Sequence, residues 1–192
     1  LPAHIIDDII KKNPSIQLDK LCIFIALVHD IGKATPIFQA KICDRSPYLK
    51  ERIIVSGFEI QQTSQFLDAS KTPHSFAGEA ILLELGCPEG IAAIVGSHHG
   101  KPYSETEDLQ IMMMCYEENF YGPKGRTSIQ GAKWKDVWEQ WIDIALFCSG
   151  YENIDELPDI DVPVQMILSG LLMMADWISS NAEYAPLISL DD

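Results

Sequence analysis

The stretch LDKLCIFIALVHD, residues 18–30, decides how the chain is read. From Leu21 to Val28 it is apolar nearly all round, the composition of a central buried helix rather than one with a wet face. It ends on His29 and Asp30, and a carboxylate at the end of such a helix is costly to bury unless it is paired or bound to metal. His29 lies four residues after Ile25, on a face shared with Leu21 and Cys22, and Lys33 places an ammonium beside the pair. Gly32 follows as a natural stop, and Pro36 can open the next helix. Taken alone, a satisfied histidine and a surface aspartate at a helix end explain this dipeptide equally well.

Outward from this stretch, helical spacing predicts a short helix over 37–42, a connection over 43–47 and a weak helix over 59–69. A break at 70–73 precedes helices over 75–85 and 89–97, with Gly86 and Pro88 between them. A turn at 98–102, a helix over 108–121 and an exposed loop over 122–131 follow. Residues 134–148 are strongly amphipathic, with Trp134, Val137, Trp138, Trp141, Ile142 and Ala145 on one stripe. We read that stripe as core rather than as a platform for stacking bases. A polar, acidic connection over 149–163 leads to a last long helix over 164–181. Strand alternation is scarce, and an Asn-Gly hairpin and internal repeats are absent, so the fold class is all-α, with helices packed on helices.

The 192 residues suit one domain, and 47 % hydrophobic with 22 % charged residues are ordinary for a globular chain. The formal net charge of −14 excludes a generic basic coat for duplex DNA, although a bound cation can invert the field locally. The five cysteines form no C-x-x-C pair, and their odd number suits reduced thiols in a cytoplasmic protein. The chain opens Leu1-Pro2-Ala3 without methionine or a secretory signal, so we expect an N-terminally cut piece. The longest apolar run, residues 162–175, is shorter than a bilayer span and contains Gln165, so we expect a core helix and no membrane.

Only five histidines occur: His4, His29, His74, His98 and His99. Histidine and carboxylate together are ligands for transition metals. Asp176 interrupts MILSGLLMMADWISS inside an expected buried helix, where an unpaired aspartate is rare and costly. A metal ligand explains it better than a structural hydrogen bond does. His98 and His99 precede Gly100 at a helix end, where neighbouring imidazoles can converge on one ion. His74 after Pro73 reads, by itself, as a plain helix start, and His4 carries the weakest independent signal.

Taken in order, His4, His29-Asp30, His74, His98-His99 and Asp176 resemble the H…HD…H…HH…D pattern of the HD phosphohydrolase superfamily. The stretch HDIGKATPIFQ, residues 29–39, resembles more narrowly the signature of the nuclease domain of the CRISPR type I helicase-nuclease. SHHG at 97–100 and ADWISS at 175–180 resemble later motifs of that family, while Pro73 and Gly78 depart from its usual pattern. The resemblance implies an HD-domain helical bundle around one or two metal ions, and cleavage of single-stranded DNA. His4, His29, Asp30 and Asp176 would hold one ion, and Asp30, His74, His98 and His99 the other, with Asp30 bridging. The mixed donors suggest Mn, Fe, Co or Ni rather than Mg or Zn. Asp30 and Lys33 are the expected catalytic residues, with Lys33, Ser179 and Ser180 on the substrate phosphate. The implied partners are a helicase domain or subunit and the crRNA-guided surveillance complex. No G-x-x-x-x-G-K-[ST] loop occurs, so the motor is not in this chain.

Two other readings fit the residues. An HD phosphohydrolase of small nucleotides could use the same ligands, although the ATPIFQ run after the HD pair favours the nuclease. A non-catalytic module of the same fold could use its negative charge on a basic partner protein.

Overall fold

The structure, a computed structural model, describes residues 3–12, 16–100 and 106–186. Among these residues it contains ten α-helices and short 3-10 turns, and no strand. The helices are α1 (Ala3–Lys12), α2 (Leu18–Val28), α3 (Pro36–Cys43), α4 (Pro47–Val55) and α5 (His74–Glu84). They continue with α6 (Glu89–Ser97), α7 (Thr106–Cys115), α8 (Glu117–Tyr121), α9 (Ile129–Ser149) and α10 (Val162–Ser179). The all-α expectation holds.

The stretch over 18–30 is the spine of the bundle. Leu21, Phe24, Ile25 and Val28 are buried, and α2 packs along α9. The aromatic stripe of α9 is core: Trp134, Trp138, Ile142 and Ala145 are buried, with Val137 and Trp141 partly so. Two of these indoles also fix the chain around the HD pair. Trp138 Nε1 donates to the Ala34 carbonyl at 2.6 Å, and Trp141 Nε1 to the Leu27 carbonyl at 2.9 Å. The Leu27 carbonyl lies in the last turn of α2, where helix carbonyls lack intrahelical partners, and Ala34 directly follows the 3-10 turn Ile31–Lys33.

A 3-10 turn, Ile31–Lys33, carries the chain from α2 to α3 and lies against the first turns of α5. The contact is backbone on backbone. A Cβ at Gly32 would stand 1.9 Å from the His74 carbonyl oxygen and 2.5 Å from the Gly78 nitrogen. Gly32 therefore provides close approach, and the departure at Gly78 falls on the other side of the same contact. α5 in turn packs on α6, and α6 on α10. This chain of packings brings four distant segments to one end of the bundle.

Several elements differ from the expectation. Helix α4 was not expected; Ser46 caps it by accepting from Leu49 N, Pro47 opens it, and none of its residues is buried. Residues 59–69 hold a 3-10 turn, Thr63–Gln65, and the start of another, Ala69–Lys71, in place of a weak helix. The helix over 108–121 is two helices, broken at Tyr116 (φ −116°, ψ 37°). Helix α9 begins inside the expected exposed loop, capped by Ser128, and Gln130 and Gly131 are buried. Of the turn at 98–102, Lys101 and Pro102 lie outside the described residues.

Helix α10 was expected as a buried core helix. It buries only Val164, Leu168 and Leu172, while Met166, Met174, Trp177 and Ile178 are exposed. By length and composition it is also apolar enough to cross a membrane. Its buried stripe packs on α6 and α2.

Candidate metal centre

His29 and Asp30 leave the end of α2, His74 opens α5, His98 and His99 close α6, and Asp176 stands near the end of α10. The structure brings these six together. His29 Nε2 lies 3.3 Å from Asp30 Oδ2 and 3.8 Å from Asp176 Oδ1. Asp30 Oδ1 faces the other way, 3.5 Å from His74 Nε2 and 3.9 Å from His98 Nε2. Thus each oxygen of one carboxylate serves a different group of imidazoles. His74, His98 and His99 each offer a ring nitrogen, and these nitrogens lie within 4.8 Å of one another.

Backbone carbonyls orient two of the rings. His29 Nδ1 lies 2.8 Å from the Ala26 carbonyl oxygen, and His98 Nδ1 lies 2.5 Å from that of Val95. A carbonyl can only accept, so Nδ1 carries the proton in each ring and the Nε2 lone pair points to the cluster. This is the usual arrangement behind a metal-ligating histidine. His99 Nε2 and His74 Nε2 approach to 2.8 Å, and the Phe38 ring stands edge-on to His74 at 5.4 Å.

The remaining expected residues are placed as follows. Lys33 Nζ donates to Asp30 Oδ2 at 2.5 Å, and its backbone carbonyl accepts from Gln39 Nε2 at 2.8 Å. Ser180 Oγ donates to Asp176 Oδ1 at 3.3 Å, while Ser179 Oγ turns back to the Asp176 carbonyl at 3.0 Å. His4 is exposed on α1. Asp176 is only partly buried, in keeping with the exposed outer face of α10.

The donors fit a divalent cation. His98 Nε2 is buried without a hydrogen-bond partner, an orphaned acceptor of the kind that native proteins rarely leave. Burial pushes the His74 imidazole down to about 4; Asp30 opposes this, while His99, His98 and Lys33 add to it. Burial also lowers His98, against its bond to the Val95 carbonyl. Both rings are therefore neutral at pH 7, the form that ligates metal. Burial raises the Asp30 carboxyl, but the Lys33 hydrogen bond and the charges of His29, Lys33 and His74 bring it below its ordinary value, so it is ionised.

A stability prediction follows from these signs. His74 and His98 protonate less readily in the fold than in the unfolded chain, where histidine titrates at 6.5. Metal-free protein should lose stability as pH falls from 6.5 towards 4, because the unfolded chain takes up the protons first. The Asp30 contribution, of the depressed type, is lost only as pH falls below its ordinary 3.8. Thermal midpoints against pH test this, and the slope should flatten when His74 and His98 are both changed to glutamine.

Sequence reading gave no roles to Thr35, Phe38 and Gln39, although all three stand in the quoted stretch after the HD pair. Thr35 Oγ1 donates to the Gly32 carbonyl at 2.9 Å and is fully buried, so it stiffens the turn that carries Asp30. The residue types alone could not show this. The signal was their crowding within six positions of Lys33.

Known proteins are similar along most of this chain. The family model described as "Cas3, HD domain" matches residues 3–185. The CRISPR-associated nuclease/helicase Cas3 of Streptococcus thermophilus is 39 % identical over 188 residues, covering 95 % of this chain and 20 % of the relative. The chain therefore spans about a fifth of that relative's length. No solved structure matches. With an all-α fold, a histidine cluster and a family match along nearly its whole described length, this chain belongs to the Cas3 HD domain family, a nuclease family of the HD superfamily.

Proposed function

We propose that this chain is a single nuclease domain that uses divalent transition metals to hydrolyse phosphodiester bonds of single-stranded DNA in CRISPR type I interference. The observation that carries the reading is the Asp30 carboxylate, with one oxygen towards His29 and the other towards His74 and His98. That arrangement suits a carboxylate shared by two ions. His29, Asp176 and Asp30 would hold one, and His74, His98, His99 and Asp30 the other. When bound, such ions stabilise charge on phosphate oxygens and lower the pKa of water near neutrality.

The chain's own groups do the rest. The Ala26 and Val95 carbonyls fix the tautomers of His29 and His98, so neither ring has to change tautomer when a cation arrives. The Lys33 side chain is 41 % exposed and already rests on Asp30, so its ammonium is in reach of a phosphate at the same place. Ser180 keeps the Asp176 carboxylate oriented and could donate to a phosphate oxygen, with Ser179 beside it.

The net charge of −14 disfavours unaided capture of the strand, so a partner that delivers it should raise the rate of cleavage. A helicase domain or subunit, with the surveillance complex that exposes the strand, fits this role. The exposed Met174, Trp177 and Ile178 around Asp176 suit a face that such a domain covers. All five cysteines are free, which accords with work in the cytoplasm.

The test is a metal-by-metal assay on circular single-stranded DNA, with His29→Ala alongside. Mn, Fe, Co or Ni should support cleavage, and chelator or His29→Ala should remove it. Cleavage that persists in chelator contradicts the reading, and turnover of free nucleotides with the circle left intact points to the small-nucleotide alternative.

A further inference from the structure

Beside the metal centre a groove of about 470 Å³ runs between α3, α4 and α9. Lys33 is among its lining residues, and its ammonium is bonded to Asp30, so the groove adjoins the cluster through this side chain. We propose that this groove is a subsite for a nucleobase of the DNA strand next to the scissile phosphate. The proposal rests on the single-stranded DNA reading above.

Three observations support a base. Its wall is aromatic: Trp141, Trp134 and Phe58 line it, with the Phe58 and Trp134 rings 4.6 Å apart. The Trp141 ring is partly exposed, and its Nε1 is held by the Leu27 carbonyl, so the indole is pinned in place before any ligand arrives. A pinned, partly exposed ring is a stacking surface that costs little entropy to use. The charge is also exceptional. The chain carries 28 acidic against 14 basic residues, yet no aspartate or glutamate lines this groove, while Lys33 and Arg52 do. Lys133 adds a third cation over the Phe58 ring at 6.0 Å. A largely apolar slot whose charged lining residues are all cations, in an otherwise acidic molecule, matches a base with its phosphates on either side.

The core reading of the tryptophan stripe stands for its inner side. The proposed contact uses the partly exposed side of Trp141, with the buried Trp134 behind Phe58 as the floor of the wall. A helicase side chain is the other occupant the groove could take, and the experiment separates the two.

Binding of a labelled oligo-dT and of an abasic strand of equal length and charge is measured by anisotropy, in chelator and at low salt. The unaltered chain should bind oligo-dT about tenfold more tightly than the abasic strand, the order expected for stacking one base. Trp141→Leu should bring that ratio to about one, Trp141→Phe should keep most of it, and Arg52→Ala should weaken both strands alike. Equal affinity for the two strands in the unaltered chain, no binding of either, or a preference that survives Trp141→Leu overturns the subsite. That result would be expected if the groove is covered by protein instead. Cleavage of the same oligo-dT with Mn²⁺ separates the two claims. A base preference without cleavage defeats the nuclease reading and leaves the subsite, whereas cleavage without a base preference does the reverse.

Discussion

Asp30→Ala should leave the chain unable to hold divalent metal and unable to cut DNA. Asp30 is the one carboxylate that touches both sets of imidazoles, at 3.3 Å from His29 and 3.5 Å from His74. Without it the site is four imidazoles, Asp176 and a Lys33 that has lost its carboxylate partner, with one negative charge left to balance the cations. Even the outer partners of metal ligands cost about 10–100-fold in affinity when removed, so a shared ligand should cost at least about 100-fold. Calorimetric titration with Mn²⁺ reads this directly, and circular single-stranded DNA reads the cleavage. Asp30→Asn separates charge from shape: it keeps the size of the group, loses the anion, and should fail nearly as badly. Full activity in either variant would show that Asp30 does not bridge.

Gly32→Ala should be among the most destabilising alanine substitutions in the chain. The new Cβ would meet the His74 carbonyl oxygen at 1.9 Å and the Gly78 nitrogen at 2.5 Å, both backbone atoms that cannot swing aside. Overpacking costs ~1–3 kcal/mol and more where backbone must move. We expect about 3 kcal/mol, a fall of roughly 6–12 °C in the thermal midpoint for a chain of this size. The displacement separates Asp30 from His74, so Mn²⁺ affinity should fall as well. Gly170→Ala is the control: nothing lies within 4 Å of a Cβ there, and a helix-interior alanine should gain about 1 kcal/mol. A Gly32→Ala protein as stable as its parent would mean that the turn and α5 do not pack this closely.

The parts of this account that could be read from residue order share a cause. The stretch over 18–30 is apolar nearly all round, which leaves a polar pair at its end conspicuous. His98-His99 before a glycine and Asp176 within an apolar run stand out for the same reason. What residue order could not supply is the meeting of positions 30, 74, 98 and 176. That depends on Gly32 seating against α5, α5 on α6, and α6 on α10. His74 was the least certain of the six taken alone, and it lies at the centre of the cluster. His4 was placed by order alone, and the structure leaves it exposed on α1.

Errors in the fold also have physical origins. Helix α4 has no buried residue, so no apolar stripe announces it; only the Ser46 cap and Pro47 do. The start of α9 looked like a loop because of its glycines, but Gly131 is there for space. A Cβ at that position would meet the Gly125 carbonyl oxygen at 2.5 Å. Apolar content alone suggested that α10 was a buried core helix, whereas an exposed apolar face is equally what a domain with a missing neighbour presents.

The most direct test of the whole account is anomalous diffraction from crystals grown with Mn²⁺. Density for one ion among His74, His98, His99 and Asp30, and for a second among His29, Asp176 and Asp30, is the predicted result. Crystals in which Mn²⁺ binds elsewhere, or leaves these side chains without an ion at saturating metal, would contradict it.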